Sequence, residues 1–264
     1  MAVIVGYAGS VTWDGSTNNA QLASTGGEPI NWTLTMSGDE HETTAFAGTG
    51  AQTTFVKGLT SWSGTFETTL KTPATGTAGL VTFAGGYTTN LLEWTMDIAR
   101  DALDATVFGA SERAFVPGLA RISGTFRGYI DDTTAVTAVA NSNEPATGTF
   151  KVREAGATDD TLSGSIFTRQ LDLATSPAAL GTVGYAYRLS GALTQSTPSA
   201  GTTILVPGTF DPVADVASTI TLAANGTRTY SGSAFWTSIG IRVAVGELVS
   251  VRVGFQGTGA LTIA

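Results

Sequence analysis

The sequence predicts an all-β protein, and three observations indicate this class. The chain of 264 residues is 42% hydrophobic but only 13% charged, and it carries 33 glycines among many Thr, Ser and Ala residues, a composition typical of short strands and turns. Apolar and polar residues alternate in several segments, and two sequence patterns each occur twice. The composition disfavours a helical bundle, and the recurring aliphatic and aromatic residues argue against disorder.

The clearest predicted element is a β-hairpin near the end of the sequence. Residues 241–245 alternate between apolar and smaller or polar side chains, and residues 249–255 do so again. Gly246-Glu247, between them, is typical of a turn. We therefore predict two half-buried antiparallel strands here.

Other elements are predicted from composition. Residues 32–36 and 61–66 are rich in Thr and aromatic residues and predict strands. The one helical candidate is 101–107, where Leu103 and Val107 are four residues apart. We expect at most one or two turns of helix there.

One repeated pattern, the A unit, combines Trp-Thr, Thr-x-Phe, Gly-Leu and Ser-Gly-Thr-Phe in constant order. Its first copy, A1, contains residues 9–15, Trp32-Thr33, Thr44-Ala45-Phe46, Gly58-Leu59 and Ser63-Gly64-Thr65-Phe66. Its second copy, A2, contains residues 79–85, Trp94-Thr95, Thr106-Val107-Phe108, Gly118-Leu119 and Ser123-Gly124-Thr125-Phe126. The order and spacing indicate an internal duplication.

A second pattern, the B unit, is also present twice. Residues 162–167 of copy B1 match 230–235 of copy B2, and residues 191–194 match 259–262 at the same offset. The intervening matched pairs are Leu180 with Leu248, Val183 with Val251, and Tyr187 with Phe255. The chain therefore has the order A1, A2, B1, B2.

This order predicts two related domains, one nested in the other. The inner domain would be 76–196, built from A2 and B1, and the outer would be 1–75 plus 197–264, built from A1 and B2. Pairing of A1 with B1 and A2 with B2 is the open alternative. Nesting needs fewer crossing connections, so we prefer it.

Charge and cysteine content limit the partners. The net charge of −8 and a pI near 4.5 disfavour a protein that grips nucleic acid, which requires Lys and Arg for phosphate. The absence of Cys excludes disulfides and thiolate metal sites. We recognise no signal peptide and no apolar stretch of membrane-spanning length, so we expect a soluble protein without a membrane partner.

No catalytic motif is complete. His41 is the only histidine, and Ala45 stands where a zincin motif would place its second histidine. Ser165 and Ser233 follow glycines in repeated strand segments, which favours structure over nucleophilic catalysis. We expect His41 to lie in a solvated polar loop, and we expect no enzymatic activity, catalytic residue, metal or cofactor.

Two carboxylate pairs leave one alternative open. Asp131-Asp132 and Asp159-Asp160 could bind calcium or act in acid–base chemistry. Both lie in Thr- and Gly-rich segments, where Asp commonly bonds the local backbone, so we prefer turns.

Glycine-rich segments and tryptophans are also interpreted as structural. Gly48-Thr49-Gly50 and Gly257-Thr258-Gly259 lack the lysine of a phosphate-binding loop, so we predict turns or close strand contacts. Trp13, Trp32 and Trp94 lie at repeat positions filled by aromatic residues, which favours the core over a sugar-binding platform.

The A unit resembles the first half of the tail tube (major tail) proteins of long, non-contractile, siphovirus-type phage tails. The resemblance rests on Thr44-Ala45-Phe46, Gly58-Leu59 and Trp62-Ser63-Gly64-Thr65-Phe66, together with their A2 counterparts. Residues 245–251 and 255–262 are similar to the C-terminal strands of that family. The chain departs from the family in its duplication.

The resemblance implies two tail-tube domains of β-sandwich or half-barrel type in a structural virion protein assembled in the host cytoplasm. Such subunits join sheets edge to edge into rings, and stacked rings form the hollow tube through which phage DNA is delivered. Two domains a chain then imply trimeric, pseudo-hexameric rings, with tape-measure and tail-terminator or tail-tip proteins as further partners. DNA would pass without specific binding. The alternatives are a capsid decoration or baseplate protein, and a carbohydrate-binding β-sandwich.

Overall fold

The computed structural model describes residues 10–14, 27–43, 53, 55–73, 81–83, 87–88, 91–129, 146–153, 160–176, 179–195, 217–224 and 228–264. These residues are mostly strand and include no helix, so the predicted all-β class is confirmed. Within the same ranges, no helix has the length and hydropathy needed to cross a membrane.

Thirteen strands are defined. They are β1 (Ser10–Asp14), β2 (Gly27–Glu42), β3 (Phe55–Pro73), β4 (Val81–Phe83), β5 (Tyr87–Thr88), β6 (Leu91–Asp104), β7 (Phe115–Tyr129), β8 (Ala146–Arg153), β9 (Asp160–Ser176), β10 (Ala179–Gln195), β11 (Ser218–Ala223), β12 (Thr229–Ala244) and β13 (Leu248–Ile263).

All thirteen strands belong to one antiparallel sheet. Its main path is β2-β3-β13-β12-β6-β7-β10-β9-β8-β4-β5, while β11 pairs with β1 and β12. The first eight strands of this path are long and adjacent to one another. Strand β12 has two neighbours on the same side, because residues 229–234 pair with β11 and residues 238–244 pair with β6.

The predicted terminal hairpin is confirmed as β12 and β13. Val249, Val251, Val253 and Phe255 are all buried on one face of β13, as the period-two alternation requires. The turn contains Gly246 at φ 81°, a left-handed conformation that glycine adopts without steric cost.

Aromatic side chains join A2 and B1 in one hydrophobic core. Trp94 lies 5.5 Å from Phe150, and Phe150 stacks on Tyr187 with the ring centroids 4.9 Å apart. Phe126 stacks on Tyr185 at 4.4 Å. Such pairs each add about 0.5–1.5 kcal/mol to the stabilisation from burial alone.

The helical candidate at 101–107 is strand as far as Asp104. Leu103 lies opposite Val116 in the β6–β7 ladder, so its spacing from Val107 reflects a strand and the following turn. Asp104 accepts a 2.9 Å hydrogen bond from the Thr106 backbone N–H. This local bond favours a turn over a helix.

The two A copies form hairpins of identical register. In β2–β3, the hydroxyls of Thr33 and Thr65 lie 2.9 Å apart. In β6–β7, the corresponding hydroxyls of Thr95 and Thr125 also lie 2.9 Å apart. The repeated sequence segments therefore form hairpins of the same register.

The glycine of Ser-Gly-Thr-Phe performs the same task in both copies. Gly64 lies opposite Phe255, and a Cβ added to it would meet that ring at 2.5 Å. Gly124 lies opposite Tyr187, where a Cβ would lie 2.5 Å from the phenol oxygen. Each glycine leaves room for the aromatic ring across the ladder.

The two B copies share a β-bulge at the equivalent position. The β12–β13 ladder skips Thr237, and the β9–β10 ladder skips Arg169. These bulges are 68 residues apart, the same offset that relates Tyr187 to Phe255. A bulge conserved between the copies fixes the residue-by-residue correspondence of β9 with β12.

Candidate self-association surface

Within the chain, one A copy and one B copy are joined side by side through β12 and β6. Seven residue pairs form this antiparallel junction, from Ser238 opposite Ala99 to Ala244 opposite Glu93. Its apolar side chains on the core side are all buried, namely Trp94, Met96, Ile98, Ile239, Ile241 and Val243. The junction therefore resembles the interior of the sheet.

Arg100 lies buried at one end of this junction. Its Nε donates a 2.6 Å hydrogen bond to the carbonyl oxygen of Trp236, and its guanidinium lies 3.7 Å from the Trp236 ring centroid. The Phe235 ring is 5.4 Å away. A desolvated cation over an indole is worth about 2 kcal/mol or more. This contact thus adds to the strand pairing between β6 and β12.

The segment between β6 and β7 extends across the outer A and B strands. The Arg113 backbone N–H donates to the Thr60 carbonyl at 2.8 Å, and the Arg113 carbonyl accepts from Gly259 N–H at 3.1 Å. The Phe115 N–H donates to the Thr258 hydroxyl at 3.0 Å. A2 is therefore held to β3 and β13 in addition to β12.

The Arg113 side chain strengthens this attachment. It pairs with Asp39 of β2 at 2.7 Å and with Asp104 of β6 at 3.0 Å. The pKa of Asp104 is lowered, first by hydrogen bonds from Thr106 and then by the charge of Arg113. The pKa of Arg113 is raised, chiefly by its hydrogen bond to Asp39.

Two strand edges of the long-strand path face outward. Among the described residues, β2 pairs with β3 alone, and residues 170–175 of β9 pair with β10 alone. Backbone groups at such edges can template pairing with another chain. The edges lie at opposite ends of the eight-strand path.

One face of the eight strands is polar. Hydroxyl pairs such as Thr33–Thr65, and Ser37–Ser61 at 2.7 Å, line it. Described acidic residues on this face include Glu67, Glu93, Asp97, Asp101 and Asp172. Described basic residues on it include Arg121, Arg127, Arg188, Arg242 and Arg252. Acidic and basic side chains are therefore interspersed on the described part of the face.

The structure describes only some of the polar candidates that the sequence predicts. His41 is exposed, as expected, but it lies on β2 opposite Val56 instead of in a loop. Asp131, Asp132 and Asp159 lie outside the described residues, and of Asp160 only the backbone, at the start of β9, is described. The described residues contain no cluster of three or more His, Asp or Glu suited to a metal ion.

The predicted core tryptophans differ in burial. Trp94 is fully buried, Trp32 is half-buried against the core, and the side chain of Trp13 lies outside the described part. Trp62 and Trp236, which the repeat did not single out, are also buried. A sugar platform needs exposed rings, so the described tryptophans do not fit one.

Gly257-Thr258-Gly259 makes the close strand contact that its composition predicts. A Cβ at Gly257 would collide with the Trp62 indole, and Trp62 Nε1 donates a 3.0 Å hydrogen bond to the Gly259 carbonyl. Gly48-Thr49-Gly50 lies outside the described residues.

Tyr187 is a buried ionisable group of B1. Its hydroxyl donates a 2.8 Å hydrogen bond to the Thr95 carbonyl. Burial raises the pKa of Tyr187 well above its ordinary value near 10, and the charge of Asp97 raises it further. The phenol is therefore held neutral as a structural donor.

Comparison with known proteins finds no matching family model and no matching curated protein. Two solved structures are similar to part of this chain, each over 46% of this chain and 98% of the other, at 17% sequence identity. One is described as "Virion of native gene transfer agent (GTA) particle", with a TM-score of 0.39. The second is "Tail of empty GTA particle computed with helical refinement, C6 symmetry", with a TM-score of 0.37.

Proposed function

We propose that this chain is a structural virion protein that polymerises, as stacked rings, into the hollow tail tube of a phage-like particle. The observation that carries the proposal is the β12–β6 junction, in which two copies of one fold are joined edge to edge by antiparallel strand pairing. A unit that already associates laterally with its own copy is suited to continue the same contact between chains.

The nested domain division is part of this proposal. β3 of A1 pairs with β13 of B2, and β7 of A2 pairs with β10 of B1. These contacts support an outer domain of 1–75 plus 197–264 and an inner domain of 76–196. Of the interleaved alternative, the described residues show no strand pairing of A1 with B1, whereas A2 and B2 do pair through β6 and β12.

A ring of three chains follows from two domains a chain. Six similar positions then close a circle with threefold true symmetry, and the eight long strands of each chain give a barrel of 24. With strands about 4.8 Å apart and tilted by about 40°, such a barrel is about 45–50 Å across at the backbone. Tape-measure and tail-terminator or tail-tip proteins would complete the tail in the host cytoplasm.

The polar face of the long strands is the proposed lumen wall. Its short Thr and Ser side chains leave the bore open, and acidic side chains are interspersed among its basic ones. Without a net positive surface, counterion release gives DNA little binding energy. DNA would therefore pass through without specific binding.

Negative-stain electron microscopy of the concentrated protein tests this function. We expect tubes of constant bore, with three chains in each ring by image analysis. A capsid decoration or baseplate protein would give no such tubes. Six chains a ring would contradict the two-domain count, and monomers under every assembly condition would contradict the tail function.

A gel shift with duplex DNA tests the lumen separately. We expect no retardation at physiological salt, because few uncompensated cations are available to replace the counterions of the DNA. Salt-sensitive micromolar affinity would contradict free passage of DNA without affecting the conclusion on tube formation.

A further inference from the structure

The internal junction between β12 and β6 has an unpaired counterpart at the two ends of the eight-strand path, on β2 and β9. The repeat relates β12 to β9 and β6 to β2, and the shared bulge and hairpin registers fix which residues correspond. In the junction, Ile241 lies opposite Met96. Their counterparts are Leu173 on β9 and Leu34 on β2.

These counterparts lie at the two outward edges, too far along the sheet order to pair within one chain. β2 and β9 are the first and the eighth strands of the path, and neighbouring strands in a sheet lie about 4.8 Å apart. A second copy of the chain can present its β2 to the β9 of the first. The occupant of each edge is then the opposite edge of an identical chain.

We infer that residues 170–175 of β9 pair antiparallel with residues 32–37 of β2 from a second copy, with Leu173 opposite Leu34. Transferring the internal register also places Leu171 opposite Met36, and Asp172 opposite Thr35. The inference rests on the proposed self-association and specifies its contact surface residue by residue.

Burial supports this assignment. Ile98 is 1% exposed in the internal junction, whereas its counterpart Met36 is 59% exposed. Ile241 is 2% exposed, whereas its counterpart Leu173 is 56% exposed. These two apolar positions are thus covered where the partner strand is present and open where it is absent, while the other two counterparts, Leu34 and Leu171, are half-buried.

Phe167 adds an independent position. Its counterpart Phe235 is buried beside Arg100, whereas Phe167 itself is exposed on β9. The counterpart of Arg100 is Gly38, so the contact between chains lacks the cation of the internal junction. The two junctions therefore share strand register but differ in how they are locked.

Cysteine cross-linking tests the register, since the natural chain has no cysteine. Thr35→Cys with Asp172→Cys places one thiol on each edge at the inferred opposite positions, where Cβ atoms lie about 4.5–5.5 Å apart. Upon oxidation, we expect links between chains on a non-reducing gel, with loss of monomer of at least tenfold.

Two matched variants serve as controls. Asp97→Cys with Gly240→Cys reproduces the same position inside the chain, where the residues are opposite each other, so it forms a link within one chain. Ser37→Cys with Ala174→Cys is four residues out of the inferred register, about 13 Å away, and stays monomeric on the gel.

The outcomes separate this inference from the proposed function. Tubes in the micrographs with no Thr35–Asp172 link, or with equal linking of the out-of-register pair, would overturn the β9–β2 register and leave tube formation standing. Monomers under every condition, with neither tubes nor links, would overturn both.

A charge at the same contact gives a second readout. Leu173 is already exposed in the single chain, so Leu173→Glu should fold normally. The charge would be buried in the contact between chains, and we expect assembly to fall by at least tenfold. Leu180→Glu, at a position that is 71% exposed outside the inferred contact, leaves assembly unchanged. Normal assembly of Leu173→Glu would overturn the inferred contact.

Discussion

The guanidinium of Arg100 lies 3.7 Å above the indole of Trp236 while its Nε donates to the Trp236 carbonyl. The two residues are 136 positions apart, yet they meet where β6 of A2 pairs with β12 of B2. Because Arg100 is buried, the cation exchanges water for an aromatic face and a carbonyl. The contact ties β6 to β12 beyond their strand pairing.

Arg100→Ala should destabilise the protein by about 3 kcal/mol, combining a charged hydrogen bond with a desolvated cation–π contact. Urea unfolding followed by tryptophan fluorescence measures this change. Arg121→Ala is the matched control, since its exposed pair with Asp101 is worth about 0–1 kcal/mol. Equal losses in the two variants would show that burial of Arg100 contributes nothing.

Gly124→Ala should cost about 2–3 kcal/mol, because the new methyl would overlap the Thr95 carbonyl oxygen and the Tyr187 phenol. Gly184→Ala is its control, as the closest atom there is the Cβ of Asp172 at 3.8 Å. Thermal unfolding of both variants distinguishes them. A neutral Gly124→Ala would mean that the sheet relaxes at this position.

Tyr187→Phe should cost about 1 kcal/mol at neutral pH, the value of one hydrogen bond. Phe255 already occupies the equivalent position in the outer copy, so the ring itself fits. Unfolding free energies measured by urea denaturation give this difference.

The same substitution should flatten the alkaline loss of stability. The folded-state pKa of Tyr187 is raised, so its contribution is complete below the unfolded pKa of about 10 and is lost as pH rises towards the folded value. Unfolding free energies between pH 9 and 11 compare the two proteins. Parallel pH profiles would contradict the buried neutral phenol.

Arg113→Ala should loosen residues 105–114 with only a small loss of stability, since its ion pairs are partly exposed. Hydrogen exchange of the backbone amides in this segment is the measurement. A double-mutant cycle with Asp39→Ala isolates the pair, and a coupling energy of zero would mean that backbone bonds alone hold the segment.

Much of the fold follows from local patterns. The alternation in β13 predicts its buried face, and the A and B repeats predict that the same strands occur twice. The helix predicted at 101–107 is wrong, because a four-residue spacing also fits a strand followed by a turn. The hydrogen bond from Thr106 to Asp104 stabilises the turn.

The junction could not be predicted in the same way. Sequence repeats show which residues are equivalent, but they do not show which unit lies beside which. Arg100 has Gly38 as its counterpart, and Trp236 has Thr168, so no repetition singles out this contact. An arginine in a strand suggests a solvated position, and only the tertiary structure supplies the indole that allows its burial.

The β12–β6 junction also changes the concentration dependence of assembly. Its two strands belong to one chain, so they meet at an effective concentration set by the connecting polypeptide and independent of the amount of protein. Only the inferred β9–β2 contact would then require an encounter between molecules. A ring with six positions would need three such encounters instead of six, and rings should form at lower protein concentration than those of a one-domain chain with equal contacts.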